Sequence, residues 1–318
     1  MDFYSTRDQN NRVNGCQAVI SGIAQDGGLF LPCELPRYTG EQLKQLGDLS
    51  YVELASKVLF EFFPEIGEQK LKRACQAAYA PEKFGAESPV RLRVLNRDTV
   101  VLELWHGPTL AFKDMALQML PHLLSLSLEA MGDDRRALIL TATSGDTGKA
   151  ALEGFTDVPG TQVAVFYPAY GVSEMQRLQM ATHRARNVAV FAIDGNFDDT
   201  QTAVKRMFAD QLLRDEAAGH GVFLSSANSI NVGRLIPQIV YYLYAYVQMV
   251  AQGHLRPGDP FDVAVPTGNF GNILAAWLAG QMGVPVRKLI CASNKNNILT
   301  DFFETGVYDT RRPFYKTT

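Results

Sequence analysis

LILTATSGDTGKAALEGFTDVPGTQVAVFY, residues 138–167, is the stretch whose reading decides the fold. It opens on an aliphatic run at 138–141 and breaks into a turn of hydroxyl residues and glycine. It then takes helical spacing over 147–155 and returns to an aliphatic run at 163–167. A strand, a helix and a second strand on this scale imply two parallel strands joined by a right-handed crossover. The alternation continues on both sides. Strands are predicted at 100–104, 188–193, 222–225, 263–265 and 289–291, and helices at 114–131, 173–182, 198–217, 231–251 and 272–282. Ser173 followed by Gln176 reads as a capping box, and Asp198 as a further N-cap. The expected class is α/β, with mostly parallel twisted sheets and helices on both faces. Ligands of such sheets bind beyond the C-terminal strand ends, where strand order reverses, so the loops that follow strands carry the chemistry.

Before residue 99 the pattern changes. Short extended pieces surround a turn at Asp26-Gly27-Gly28, and helical spacing follows at 51–63 and 67–79, with Pro64 and Pro81 beyond the ends. The chain has 318 residues, of which 47% are hydrophobic and 20% charged, enough apolar side chain for a large core. Its 30 Lys+Arg against 33 Asp+Glu leave a net charge of −3 without a basic cluster, so no nucleic-acid partner is expected and a small molecule is. The acidic N-terminus lacks the bases and apolar stretch of a signal peptide. The run 236–250, interrupted by Pro237, Gln238 and Gln248, is too short to span a bilayer and reads as a buried helix of a cytoplasmic protein. Cys16, Cys33, Cys75 and Cys291 show no CxxC spacing, and none of the five histidines lies in HExxH, so reduced core thiols and no metal are expected.

Four loops are suited to chemistry. In the first, His106-Gly107-Pro108-Thr109-Leu110-Ala111-Phe112-Lys113-Asp114, Lys113 falls in a first helical turn beside apolar residues. Both surroundings disfavour an ammonium and favour an amine nucleophile. Taken alone, the loop reads more simply as an exposed lysine paired with Asp114, and His106 as a hydrogen-bonded structural histidine. In the second, Thr143-Ser144-Gly145-Asp146-Thr147-Gly148-Lys149-Ala150, backbone N–H groups and hydroxyls suit an anion such as a carboxylate. A Walker A loop fails because Thr143 replaces its first glycine and Ala150 its metal-binding hydroxyl. The third, Ser226-Ala227-Asn228-Ser229-Ile230-Asn231-Val232-Gly233-Arg234, gathers amides, hydroxyls and a guanidinium suited to a phosphate, or else is a helix cap beside a solvated arginine. The fourth, Pro266-Thr267-Gly268-Asn269-Phe270-Gly271-Asn272, lacks GxGxxG spacing and suits a phosphate monoester better than NAD, or is a β-to-α turn needing glycine. No GxSxG elbow is present.

Together the motifs HGPTLAFKD at 106–114, SGDTG at 144–148, SANSINVGR at 226–234 and GNFGN at 268–272 resemble those of the threonine synthase family. That family belongs to the fold type II pyridoxal-phosphate enzymes, which are similar in fold to tryptophan synthase β. YSTR at 4–7 and GIAQDGGLFLP at 22–32 resemble its bacterial and fungal branch, so the resemblance covers essentially the whole chain. It implies a pyridoxal 5'-phosphate lyase of threonine biosynthesis that turns O-phospho-L-homoserine and water into L-threonine and phosphate. Lys113 would hold the cofactor as a Schiff base and later move protons at the α and β carbons. Phe112 would contact the cofactor, Asp146 would sit near its phenolic oxygen, and Gly268, Asn269, Phe270, Gly271 and Asn272 would hold its phosphate. Ser144, Gly145 and Thr147 would grip the substrate carboxylate, and Asn228, Ser229 and Arg234 the substrate phosphate. Alternatives are another fold type II lyase acting on hydroxy or phospho amino acids and a catalytically inactive phospho-ligand-binding relative. The expected division is an N-terminal module at 1–95, a large cofactor domain from 96–112 with 255–318, and a smaller domain at 113–254. Monomer and homodimer are both open. Family members are expected to continue past 312–318, leaving the large domain incomplete here, with core surface and a sheet edge exposed. No residue of this sequence is assigned the hydroxyl that the family places beside the pyridine nitrogen.

Overall fold

The computed structural model describes residues 1–266, 268–309, 311–313 and 315. Arg136–Ala142, the strand that opens the deciding stretch, lies inside a four-stranded, all-parallel sheet. The order is Val188–Ile193, Thr161–Pro168, Arg136–Ala142 and Val222–Ser225. The chain builds outward from Arg136–Ala142 on one flank and returns to the other, so strand order reverses between Arg136–Ala142 and Val222–Ser225. Ala137, Ile139, Leu140, Thr141 and Ala142 are all buried, as befits a strand covered on both faces, which explains its near-continuous aliphatic run. A second parallel pair, Phe261–Pro266 with Val286–Ala292, is joined by the crossover helix Gly271–Gln281.

The structure departs from sequence expectation at four places. The strand Thr99–Glu103, expected within the parallel alternation, pairs antiparallel with Arg91–Asn96 in a hairpin of its own. A side-chain turn forms there, Asp98 N donating to Asn96 Oδ1 at 2.9 Å, and so short a connection can join only antiparallel strands. The single helix expected over 114–131 is two, Asp114–Leu117 and Leu120–Met131, divided ahead of Pro121, which has no N–H to continue the ladder. The helix expected over 198–217 is also two, Phe197–Ala209 and Gln211–Gly219. Asp210 leaves helical geometry (φ −73°, ψ 111°) and caps the second by accepting from Leu213 N at 3.1 Å. Finally, Asp198 is not the cap of the first of these helices. Asn196 is, its Oδ1 accepting from Asp198 N at 2.8 Å and Asp199 N at 3.0 Å.

The N-terminal residues form a three-stranded antiparallel sheet, Arg12–Asn14, Asp2–Ser5 and Phe30–Pro32 in that order, followed by helices including Tyr51–Phe62 and Glu68–Ala78. At the expected Asp26 turn, Asp26 Oδ1 accepts from Ser5 Oγ and Gly28 N, both at 2.8 Å. A Cβ on Gly28 would stand 2.1 Å from Ser5 Oγ, so only glycine closes this turn. One contiguous core joins this region to the rest. It runs from Phe3, Leu54 and Leu59 through Leu123, Ile139 and Val165 to Ile236, Ile239 and Ala276. Each large aliphatic side chain fully buried there contributes about 1.5–3 kcal/mol. Buried Tyr79 donates to Met115 O at 2.9 Å, which ties the N-terminal helices to the segment that follows Lys113. The expected buried helix is Val232–Ala251, and among the described residues no helix is long and apolar enough to cross a membrane.

Candidate active site

Lys113 immediately precedes the helix Asp114–Leu117, in helical geometry (φ −62°, ψ −24°), one residue before the first-turn position expected for it. The simple pairing with Asp114 does not form. Asp114 is fully buried and its carboxylate accepts from Thr109 N at 2.8 Å and Thr109 Oγ1 at 2.6 Å, closing the loop on itself. The Lys113 ammonium is instead directed to the neighbouring loop, 3.6 Å from Asp146 Oδ2, and sits 5.0 Å from the centre of the Phe112 ring. Burial pulls the Lys113 amine below its ordinary value; Asp146 opposes that pull, while Arg234 and Lys149 add to it. His106 is hydrogen-bonded as expected, Nε2 lying 2.8 Å from Glu103 Oε2.

The second loop leaves the C-terminal end of Arg136–Ala142 and enters the helix Asp146–Phe155. Thr143 Oγ1 accepts from Gly145 N at 3.0 Å and Gly148 N at 2.9 Å, holding the turn tight. Gly145 has φ +144°, a region few side chains adopt, and a Cβ there would lie 2.4 Å from Gln176. Asp146 is the hub. Its Oδ1 accepts from Gln176 Nε2 at 3.0 Å and lies 3.2 Å from Lys149 Nζ. Burial works to raise its carboxyl, but Lys113, Gln176 and Lys149 together hold it below the ordinary carboxylate range. Ser144 is exposed and Thr147 half-buried at the same turn.

The third loop leaves the C-terminal end of Val222–Ser225, across the strand-order reversal from the second. Arg234 is not the solvated arginine of the simpler reading. It lies in the first turn of Val232–Ala251 with 4% of its surface exposed, and Nη1 donates to Ala227 O at 2.9 Å. Its Nε is buried with no hydrogen-bond partner among the described residues, and burial lowers its guanidinium to about 10. Asn231 fixes this loop from behind, donating to Val19 O at 3.1 Å and Ser226 O at 3.3 Å while accepting from Gly233 N at 2.8 Å. The N-terminal region thus props the loop through the backbone of its first helix, Gly15–Ser21.

The fourth loop ends on Phe270 (φ +66°), from which the helix Gly271–Gln281 starts without a described side-chain cap. Thr267 lies outside the described residues. Asn269 Nδ2 reaches Ser229 Oγ at 3.5 Å. Asn272 Oδ1 accepts from Tyr241 OH at 2.7 Å and from Tyr242 OH, and Tyr241 OH also meets Gln238 Oε1 at 3.1 Å. Gln238 in turn donates to Arg234 O at 2.7 Å. Loops three and four are therefore one hydrogen-bonded unit, and loops one and two are joined by Lys113 with Asp146. Asn228 is half-buried within loop three, its N–H on Ser226 Oγ at 3.2 Å. Sequence reasoning passed over Thr109, Lys149, Gln176, Asn231 and Tyr241. Only the phase of Lys149, three residues after Asp146 on one helix, was a signal of this kind.

The residues fit the cofactor that the resemblance implies. For the substrate phosphate that the resemblance also implies, Arg234 Nε, buried without a partner among the described residues, calls for an anion. The uncapped helix start at 270–271 offers first-turn N–H groups, and a Cβ on Gly271 would find its nearest neighbours, Gln238 and Ser229, 3.9 Å away. A half-buried amine with a lowered proton affinity is ready to attack an aldehyde.

Comparison with known proteins gives the family. Residues 2–79 match the family described as threonine synthase N terminus, and residues 90–316 the family described as pyridoxal-phosphate dependent enzyme. The chain is 43% identical over 304 residues to threonine synthase-like 1 of Homo sapiens, covering 93% of this chain and 40% of that protein. It is 43% identical over 310 residues to threonine synthase of Pseudomonas aeruginosa, covering 97% of this chain and 63% of that one. Among solved structures, the PLP-bound threonine synthase from Brucella melitensis superimposes with a TM-score of 0.88 at 40% identity, covering 98% of this chain and 64% of that chain. The chain thus spans between 40% and 64% of the length of these relatives.

Proposed function

The chain belongs to the threonine synthase family of fold type II pyridoxal-phosphate-dependent enzymes, and on that premise we propose that it serves the conversion of O-phospho-L-homoserine and water to L-threonine and phosphate. The observation that carries this reading is the approach of Lys113 to Asp146 at the strand-order reversal, with Arg234 Nε in the neighbouring loop buried without a partner among the described residues. When bound, pyridoxal phosphate supplies an aldehyde that takes up an amine and a ring that spreads negative charge from the adjoining carbon. Lys113 would anchor this group through its amine, and that amine would hold and move the proton at the substrate α and β carbons. Burial favours its neutral form, the form that can accept that proton. Asp146 would orient the cofactor ring, and Phe112 would contact it. Gly268, Asn269, Phe270, Gly271 and Asn272 bind the cofactor phosphate through the start of their helix, where the dipole favours an anion.

Ser144, Gly145 and Thr147 bind the substrate carboxylate at the start of Asp146–Phe155. Asn228, Ser229 and Arg234 bind the substrate phosphate until it leaves. A three-part organisation accords with this reading, with 1–95 as the supporting module, 96–112 and 255–318 holding the cofactor, and 113–254 carrying the substrate loops. The test is borohydride reduction of the protein with pyridoxal phosphate, adduct mapping by peptide mass spectrometry, and phosphate release from phosphohomoserine. One adduct at Lys113, absent from Lys113→Ala, together with phosphate release, is the expected outcome. Elimination from serine or threonine without phosphate release would assign another lyase of the same fold, and scattered labelling would overturn the site.

A further inference from the structure

Asp146 has two ammonium partners, and only one of them is spent in anchoring a cofactor. Lys113 Nζ faces Oδ2 at 3.6 Å, while Lys149 Nζ faces Oδ1 at 3.2 Å and also donates to Thr109 O at 2.9 Å. Lys149 is the more buried of the two lysines, its side chain 10% exposed against 22% for Lys113. It bridges the loop that carries Lys113 to the helix that carries Asp146, and it does so from a rigid element, one helical turn beyond the carboxylate. Once the Lys113 amine has joined an aldehyde carbon through a C=N bond, with the aldehyde oxygen lost as water, it can no longer serve Asp146 as before. A half-buried carboxylate left alone would take up a proton or turn to solvent.

We propose that Lys149 is the positioning residue of this site, the permanent counter-charge that keeps Asp146 ionised and in place while Lys113 leaves it to react. The proposal rests on the reading of Lys113 as the anchoring amine. The charged groups facing Lys113 are Asp146 and Lys149 from Asp146–Phe155 and Arg234 from Val232–Ala251, and those facing Lys149 are Asp146, Asp114 and Lys113. Removing the Lys149 charge leaves Asp146 to Lys113 alone and removes a repulsion, so Lys113 binds its proton more tightly and presents less free amine.

Competitive acetylation of Lys113 by acetic anhydride across pH, in protein without cofactor and read by peptide mass spectrometry, measures this directly. Lys149→Met and Lys149→Gln are expected to slow Lys113 labelling at neutral pH about three- to tenfold and to move its midpoint to higher pH. Lys149→Arg is expected to restore both. Lys149→Gln keeps a donor for the Thr109 carbonyl, and thermal unfolding of each variant identifies any that fails to fold. Labelling within twofold of wild type in a folded Lys149→Met or Lys149→Gln protein overturns the proposal. Absence of a reducible adduct at Lys113 in the wild type, with the labelling shift intact, would instead count against the anchoring role alone.

Discussion

Arg234 is the residue whose chemistry depends most on its surroundings. A charged guanidinium, 4% exposed and with Nε unpartnered among the described residues, contributes little to folding because its desolvation offsets its hydrogen bond to Ala227 O. Arg234→Met should therefore change the unfolding free energy by no more than about 1 kcal/mol while weakening phosphohomoserine binding at least tenfold. Thermal unfolding and equilibrium binding report the two effects separately, and a large destabilisation with unchanged binding would make Arg234 purely structural. Gly145→Ala acts in the opposite way. With φ +144° and Gln176 at 2.4 Å from the added carbon, about 1–3 kcal/mol of strain is expected, along with loss of the Gln176 contact to Asp146. Denaturant unfolding would show the cost as a lowered midpoint. Lys113 and Arg234 were singled out by residue type in the sequence, and Asp146 by the family resemblance. Their partners were not: the sequence offered Asp114 as the mate of Lys113, and the loop's closure on Thr109 takes Asp114 away.

At the scale of elements, caps and close approaches decide. The Asn196 cap holds the start of Phe197–Ala209, and its replacement by alanine should cost about 1 kcal/mol, measured as a shift of the unfolding midpoint. Gly154 lies where Asp146–Phe155 crosses the end of Asp114–Leu117, and a Cβ there would stand 2.0 Å from Leu117 O. Alanine normally improves a helix by about 0.5–1 kcal/mol over glycine. Here the collision is with backbone that cannot turn aside, so Gly154→Ala should destabilise the protein by about 1–3 kcal/mol or more and shift the helix that carries Asp146 and Lys149. Unfolding by denaturant tests it, and a stabilised variant would show that the two helices can separate. Alternation marked every strand of the parallel sheet. It could not mark the hairpin partner Arg91–Asn96, whose mixed Arg and aliphatic pattern belongs to a mostly exposed ribbon rather than a covered sheet. It also could not see the breaks at Pro121 and Asp210, because apolar spacing runs on through both.

At the scale of the whole molecule, burial couples stability to pH. His122 is pushed down from 6.5 to about 4, first by burial and then by Lys83. Between those values the unfolded chain binds the extra proton, so stability is lost as pH falls from about 6.5 toward about 4. Asp146, held low, adds its loss only below the ordinary carboxylate value of 3.8. His122→Gln should flatten the first window and leave the second, as read by unfolding midpoints across pH. The core is continuous from Phe3 to Val284, and the N-terminal helices are tied to the segment after Lys113 through Tyr79 and to the loop before Val232–Ala251 through Asn231. Elsewhere Trp277, Ile290, Phe303 and Tyr308 are each about half exposed or more, an apolar surface around the second parallel pair. The sequence alone determined the α/β class and the order of the parallel strands with their crossover helices, and it singled out the four loops, because periodicity and residue type are local properties. The tertiary structure alone decided which loops meet, which carboxylate Lys113 faces, that Arg234 is buried and that Lys149 stands beside Asp146. Those pairings join residues that a reversing strand order and a shared core bring together across the chain, and no local pattern encodes that distance.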